Sequence, residues 1–337
     1  MDKDAFYMGL ALDLAKKAQG NTSPNPMVGA VLVKCGRVIG QGCHQRAGLA
    51  HAEIVAFKRC RVSPAGATLY VNLEPCAHFG RTPPCVDLVI RRGIKRVVIA
   101  TLDPNPLTAG KSVKKMRAAG IKVSVGALAA EAVRLNEIFF HNMKKNMPYV
   151  SAKWAQSLDG KLVSCKGRSK WITGKSARRL AKSLRDKYDA VLVGVNTVIK
   201  DDPQLNGLRK IPFKVVLDPA GRLPRRSELA RKYADRLIVV KGKRGRIDLK
   251  QALKRLYRMG ITSVFVEGGA KTLGGFFDAG LVDKVYCFIA PKILGSQSAL
   301  SAIGGKGFTS PNNCPVLKDL EIMPIGLDLL LTGYPQA

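Results

Sequence analysis

The chain has 337 residues, 46% hydrophobic and 24% charged, the balance of a folded globular protein with room for two domains. No apolar run reaches the roughly 18 residues of a membrane-spanning helix, and eight scattered cysteines do not make a disulfide-stapled scaffold. The net charge of +32 is spread over both halves, with 22 Lys+Arg against 9 Asp+Glu in residues 1–150 and 34 against 15 beyond, so it is not confined to a tail. The first twenty residues, "MDKDAFYMGLALDLAKKAQG", read as an amphipathic helix. They carry Asp2, Asp4 and Asp13 and lack the basic start and apolar centre of a secretory signal, so the expected location is cytoplasmic. "MVGAVLVKCGRVIGQG" reads as two strands joined in a hairpin at Lys34–Arg37. "HAEIVAFKRC" reads as a helix with Ile54, Val55 and Phe57 facing a core, and "GATLYVNLE" as a buried strand. "TPPCVDLVIRRG" is a helix opened by proline and closed by Gly93. Strand "IKRVVIAT", a helix from about Gly110 to Ala119, strand "IKVSVG" and one long helix through "LAAEAVRLNEIFFHNM" complete the first half.

Pro148 in "KKNMPYV" ends that helix, and a new strand, "YVSAKWAQS", begins, which divides the chain into domains at 1–147 and 148–337. The second half repeats the rhythm with helix "KSARRLAKSLRDK", strands "DAVLVG", "FKVVLD" and "RLIVV", helix "LKQALKRLYRMG" and strand "TSVFVEGG". A helix from Thr272 to Ala279, strand "DKVYCFIAPKIL" and a late strand near "DLLLTG" follow. Residues 221–246 are basic and turn-rich and are expected as a surface hairpin region. Strands alternating with helices in both halves imply a layered α/β fold.

Two short stretches carry the chemistry. His51-Ala52-Glu53 opens the first core helix, and Pro75-Cys76 stands where a strand enters the next helical turn, with Cys85 further on. This is the order of the zinc deaminase signature, in which one histidine and two cysteines hold the metal and a glutamate that is not a ligand moves protons. Two thiolates and an imidazole fill three tetrahedral positions and leave the fourth for water, whose pKa zinc brings towards about 7. His51, Cys76 and Cys85 are thus the candidate ligands and Glu53 the proton carrier. Cys35, Cys43, Cys60, Cys165, Cys287 and Cys314 show no ligand spacing and are expected as small buried hydrophobes. In the second half, "EGGAKTLGG" after a strand and opening a helix forms a phosphate cradle, although it is not the GxGxxG dinucleotide fingerprint.

The two cysteines are separated by the eight residues "AHFGRTPP", where the usual deaminase pattern is Cys-x-x-Cys. With "PNPMVGAVLV", "HQRAG", "HAE", "LEPCAHFGRTPPC" and "DPNP" in order, the chain resembles the bifunctional riboflavin-biosynthesis deaminase-reductase family. "SLDGK", "WITG", "DDPQL" and "VEGGAKTLGG" extend the resemblance over nearly the whole length. The resemblance implies a cytidine-deaminase-like three-layer α/β sandwich followed by a dihydrofolate-reductase-like α/β domain. It implies zinc-dependent deamination of 2,5-diamino-6-(5-phosphoribosylamino)pyrimidin-4-one, then NADPH reduction of the ribosyl group to ribityl. By resemblance, Asn25, His44 and Arg81 bind the first substrate, Arg81 through its phosphate. Ala155, Trp171, Thr197, Asp201 and the loop Gly269, Ala270, Lys271, Thr272, Leu273, Gly274 and Gly275 contact NADPH. Lys153, Ser169, Arg185, Leu205 and Glu267 contact the second substrate. The family's arginine three residues after Leu205 is here Leu208, with Arg209 one position further, so a one-residue shift is needed to restore that contact.

The expected partners are therefore the phosphorylated pyrimidine and NADPH, with no membrane and with subunit number, a homo-oligomer included, left open. The alternative is a tRNA- or nucleobase-editing deaminase with a basic RNA-binding C-terminal domain. Aromatic residues at 6% and the absence of a stacking cluster weigh against nucleic acid.

Overall fold

The computed structural model describes residues 2–79, 83–162 and 171–336 and divides into two compact units, Met1–Asn146 and Met147–Ala337. Among the described residues, no helix is long and apolar enough to cross a membrane.

The first unit runs α1 (Lys3–Lys16), β1 (Gly29–Lys34), β2 (Arg37–Cys43), α2 (Ala52–Lys58), β3 (Thr68–Leu73), α3 (Cys85–Arg91), β4 (Arg96–Thr101), α4 (Lys111–Ala118), β5 (Lys122–Val125), α5 (Ala129–Leu135) and α6 (Glu137–Lys145). Its sheet has the order β2-β1-β3-β4-β5, antiparallel up to β3 and parallel from β3 to β5. Strand alternation sorts the core into two layers. Ala30, Leu32, Leu69, Val71, Val97 and Ile99 meet α2, α3 and α4 on one face. Val31, Val33, Tyr70, Val98 and Ala100 meet α1 and α5 on the other. Both faces are covered, which is why β3 and β4 read as continuous apolar runs.

Three local expectations need correction. On α2 the buried residues are Ala52, Glu53, Ala56 and Phe57, while Ile54 and Val55 are only half-buried. Gly40 and Gly42 of β2 lie so close to that helix that an added Cβ at Gly42 would sit 2.7 Å from Ala52 O, so small residues line the contact. The long helix through 128–143 is two helices. Asn136 leaves helical geometry at φ −106°, ψ 24°, and its buried amide bonds the backbone of Met27 instead. Of the cysteines expected to be buried, Cys287 is, but Cys35 is exposed and Cys43, Cys60 and Cys314 are intermediate; Cys165 lies outside the described residues. Cys35 occupies the β1–β2 turn with φ 49°, a position chosen by the turn and not by the core.

The second unit contains β6 (Tyr149–Ser157), α7 (Lys175–Leu184), β7 (Ala190–Gly194), α8 (Val195–Asp201), β8 (Phe213–Asp218), α9 (Glu228–Lys232), β9 (Leu237–Lys241), α10 (Leu249–Arg258), β10 (Ser263–Val266), α11 (Ala270–Asp278), β11 (Lys284–Ala290), β12 (Val316–Ile325) and β13 (Asp328–Gln336). Its sheet has the order β12-β13-β11-β6-β10-β7-β8-β9, parallel from β11 through β9 and closed by an antiparallel β12–β13 pair. One face buries Val150, Ala152, Leu192, Val215, Val264 and Val266 against α10 and α11. Tyr188 stacks on Phe265 at 4.8 Å towards the opposite face.

Here too the expectation is corrected. Residues 221–246 do not form a hairpin, because β9 pairs parallel to β8 and α9 lies between them. Ser227 caps α9 by accepting Ala230 N–H at 3.4 Å. Helix α11 starts at Ala270, two residues earlier than expected. Strand β12 was not anticipated. Lys318, Asp319, Glu321 and Pro324 interrupt its apolar pattern, as suits an exposed edge.

At Gly29, α1 lies close against β1. A Cβ there would sit 2.0 Å from Ala11 O and 2.9 Å from Ala15 N. Gly29→Ala should force α1 outwards at a cost of about 1–3 kcal/mol and lower the first unit's thermal midpoint by several degrees. Calorimetry showing an unchanged midpoint would contradict that packing.

Candidate functional site

Two helix starts and one strand end converge in the first unit. His51 is the residue capping α2 at its N-terminus, Cys85 is the first residue of α3, and Cys76 follows three residues after the end of β3. The His51 Nδ1 atom lies 3.2 Å from Cys85 Sγ and 3.6 Å from Cys76 Sγ. The ligand atoms of all three residues fall within 4.8 Å of one another. Cys85 N–H donates to Cys76 Sγ at 3.2 Å, and Val86 N–H donates to Cys76 O at 3.3 Å, so the start of α3 is fastened directly onto Cys76. The Cys85 N–H and the positive end of α3 favour a thiolate there. The Cys76 thiol is drawn down to about 4, first by its contact with the Cys85 thiol and then by His51 and the Cys85 N–H. Cys85 is pushed the other way by the Cys76 thiolate and by burial. His51 is raised, chiefly by its bond to Cys76. Two sulfurs and one imidazole nitrogen at this separation fit a tetrahedral zinc ion with one position left open.

Glu53 stands in the first turn of α2, only 3% exposed. Burial and the charge of Cys76 push its carboxyl up to about 6. A carboxyl so placed can both take and return a proton near neutral pH.

His51, Glu53 and Cys76 line a cavity of about 470 Å³. Asn25 and His44 form one wall. His44 Nδ1 faces Ala50 O at 3.1 Å and its Nε2 faces Asn25 Nδ2 at 3.1 Å, so a proton on Nδ1 leaves Nε2 to accept from the amide. Burial lowers the pKa of His44, which keeps the ring neutral. Arg81 lies outside the described residues.

The same cavity is lined by residues that the sequence did not single out. Asp103 and Asn105 follow β4, and His78 Nδ1 lies 3.2 Å from Thr108 Oγ1. Burial pushes the Asp103 carboxyl up to about 6. Glu74, beside Pro75-Cys76, is buried and accepts N–H groups from Asp103 at 3.2 Å, Gly110 at 2.9 Å and Ser112 at 3.2 Å. It thereby caps α4 and ties the ends of parallel strands β3 and β4 together. The "DPNP" run was the visible signal for these residues, but its neighbour across the sheet was not.

In the second unit the structure joins Lys153, Arg185, Leu205 and Glu267. Arg185 holds the Glu267 carboxylate with two donors, Nε on Oε1 and Nη2 on Oε2, the latter at 3.0 Å. Lys153 Nζ lies 3.6 Å from Glu267 Oε2. Burial would raise the Glu267 pKa, but the Arg185 and Lys153 charges outweigh it and the net shift is downward. The third guanidinium nitrogen, Nη1, donates to Asn206 O at 2.9 Å. Leu205 is buried with φ 54°, and its carbonyl accepts from the fully buried Lys214 Nζ at 3.2 Å. Burial pushes the Lys214 amine down to about 8, helped by the charges of Arg185 and Arg236. A lone lysine in an apolar strand gave no sign of this contact.

The loop after Leu205 is fixed by Asp186, whose carboxylate accepts Arg209 N–H at 3.1 Å and Lys210 N–H at 2.9 Å. The Arg209 side chain is 84% exposed, with its Nε 3.9 Å from Asp186. Its guanidinium thus lies beside Asp186 and faces solvent. Leu208 is also exposed. Ser169 lies outside the described residues.

At the ends of β7 and β10 the structure brings Thr197, Gly269 and Thr272 together. A Cβ on Gly269 would lie 4.0 Å from Thr197 Oγ1, and one on Gly194 or Gly268 would collide with Thr272. Gly269 caps α11 without a side chain; Thr272 N–H donates to Gly269 O at 2.9 Å, and the amides of Ala270 and Lys271 at the helix start are the ones placed to meet an anion. Leu273 is wholly buried in the core, and Gly274 abuts Gly304 O, so these two secure the helix. Gly275 faces Leu249. Ala155 lies opposite Phe288 in the sheet, Asp201 ends α8 in solvent, and the exposed Trp171 ring lies 4.6 Å from the Arg178 guanidinium.

The chain is similar to known proteins over nearly its whole length. Residues 1–101 match the zinc-binding region of cytidine and deoxycytidylate deaminases, and residues 148–331 match the RibD C-terminal domain. The riboflavin biosynthesis protein RibD of Aquifex aeolicus is 47% identical, with 97% of each chain covered. RibD of Escherichia coli K12 is 37% identical over 98% of each. Among solved structures, a diaminohydroxyphosphoribosylaminopyrimidine deaminase/5-amino-6-(5-phosphoribosylamino)uracil reductase from Thermotoga maritima superposes with a TM-score of 0.91 at 38% identity, covering 99% of each chain. RibD of Acinetobacter baumannii gives 0.91 at 37% with the same coverage. The match of the second half to a reductase domain removes the RNA-binding alternative, and the chain belongs to the family of the riboflavin biosynthesis protein RibD.

Proposed function

We propose that residues 1–147 deaminate 2,5-diamino-6-(5-phosphoribosylamino)pyrimidin-4-one and that residues 148–337 then reduce its ribosyl group to ribityl with NADPH. The chain is a bifunctional deaminase and reductase of riboflavin biosynthesis that uses zinc. The observation that carries the reading is the convergence of His51, Cys76 and Cys85, with His51, Cys76 and the buried Glu53 lining a single cavity. Free cysteines throughout the described residues suit a reducing compartment, and we place the enzyme in the cytosol.

When bound, zinc supplies a water acidic enough to attack the ring carbon near neutral pH. Glu53 would take a proton from the attacking water and return it to the departing amino group, which would leave as ammonia. Asn25 and the neutral His44 orient the pyrimidine, and Arg81 takes the phosphate. In the second step Thr197, the first turn of α11, Ala155, Trp171 and Asp201 would hold NADPH, which would supply the hydride for reduction at ribose C1′. Lys153, Arg185, Leu205 and Glu267, with Ser169 and Arg209, hold the substrate. The Arg185–Glu267 pair has its charges matched before substrate arrives, so binding need not reorganise it.

Cys85→Ala should reduce zinc from one ion per chain to near zero by elemental analysis. Zinc retained near one per chain would exclude Cys85 as a ligand. Glu53→Gln should lower kcat for ammonia release by about 10²–10⁴-fold, with zinc content and NADPH oxidation on pre-deaminated substrate unchanged. Loss of both activities in that variant would contradict two independent sites.

A further inference from the structure

The wall that carries Asn25 is held by two buried amides outside the chemistry described above. The β1–β3 ladder runs from Val33↔Thr68 to Ala30↔Val71. Beyond it the chain turns from the ladder towards the cavity, and Asn72 takes over from the backbone. Its Oδ1 accepts Gly29 N–H at 2.8 Å, and its Nδ2 donates to Met27 O at 3.0 Å. Asn136, in the break between α5 and α6, grips the same residue. Its Oδ1 accepts Met27 N–H at 2.7 Å and its Nδ2 donates to Met27 O at 2.9 Å. The two side chains are 0% and 2% exposed.

Pro24 and Pro26 have no N–H, so the segment they occupy has few backbone donors with which to hold itself. Pro24, Asn25, Pro26 and Val28 line the cavity. Val28 O also accepts His44 N–H at 2.9 Å, so the segment fixes both members of the Asn25–His44 pair. A buried amide costs stability unless both its halves are bonded, and an apolar side chain would fill the space without that cost. What the amides add is a defined position for Met27. The helix break at Asn136 has the same consequence, since it turns that amide onto Met27.

We propose that Asn72 and Asn136 are positioning residues of the deamination step, setting where Asn25 and His44 meet the pyrimidine. The inference rests on the cavity being the deaminase site. Asn72→Asp and Asn136→Asp, in the full-length chain with zinc bound, keep each acceptor but set a carboxylate oxygen against Met27 O. Each should raise KM for the diaminopyrimidine phosphate about tenfold or more, with kcat within about threefold. Zinc should stay at one per chain, and NADPH oxidation on pre-deaminated substrate should not change. An unmoved KM, or a fall in kcat and zinc together with the rise in KM, would overturn the proposal. If the Asp variants do not fold, Asn136→Ala, which retains both Asn72 bonds, gives the same readout: KM must rise with zinc retained, and an unchanged KM overturns the proposal. Absence of ammonia release by the unaltered chain would overturn the functional reading and this inference with it, whereas ammonia release with unmoved KM in the variants overturns the inference alone.

Discussion

Three ligand atoms that are 34 residues apart along the chain at their widest must come within 4.8 Å of one another, and much of the first unit serves that requirement. The sheet brings the C-terminal end of β3 between the starts of α2 and α3. Glycines at 40 and 42 let α2 lie directly on β2, which carries His51 and Glu53 inwards as one rigid piece. Glu74 then locks the end of β3 to the start of α4. Burial of the acid beside the ligands is costly; the upward shift of its carboxyl reflects that cost, which hydrogen bonding to Cys85 and the charge of His51 partly offset.

The second unit solves a different electrostatic problem. Both its ligands are anionic, yet Glu267 contributes a buried negative charge to the proposed substrate region. The Arg185 fork and Lys153 offset that charge, and the cluster keeps a net positive sign. Arg185 and the buried Lys214 together hold the carbonyls of residues 205 and 206, while Asp186 holds the amides of 209 and 210. A loop tied on both edges keeps its left-handed residue, Leu205, in place without a glycine. The excess of basic residues in both halves is suited to attracting phosphorylated ligands.

What could be read from the residues followed from how local the signal was. The β1–β2 hairpin, α3 with its leading prolines, and the His-x-Glu and Pro-Cys stretches depend on neighbours within a few positions, and the structure forms the elements as expected. The break at Asn136 could not be read, because the residues 129–145 keep a helical pattern and the cause, Met27, is more than a hundred residues away. Helix α8 is short and rich in β-branched Val195, Thr197, Val198 and Ile199, which favour strands on propensity alone. Strand β12 carries charges and a proline because it is an edge, so its pattern lacks clean alternation. Asn72 and Lys214 looked like polar interruptions of strands; only tertiary contact gave each a partner.

The account stands or falls on the metal centre. X-ray absorption at the zinc edge on the intact chain measures it directly, because sulfur and lighter ligands scatter differently. Two sulfurs, one imidazole nitrogen and one further light atom around a single zinc are the predicted environment. Four sulfurs, an all-oxygen-and-nitrogen shell, or no zinc in active protein would contradict it.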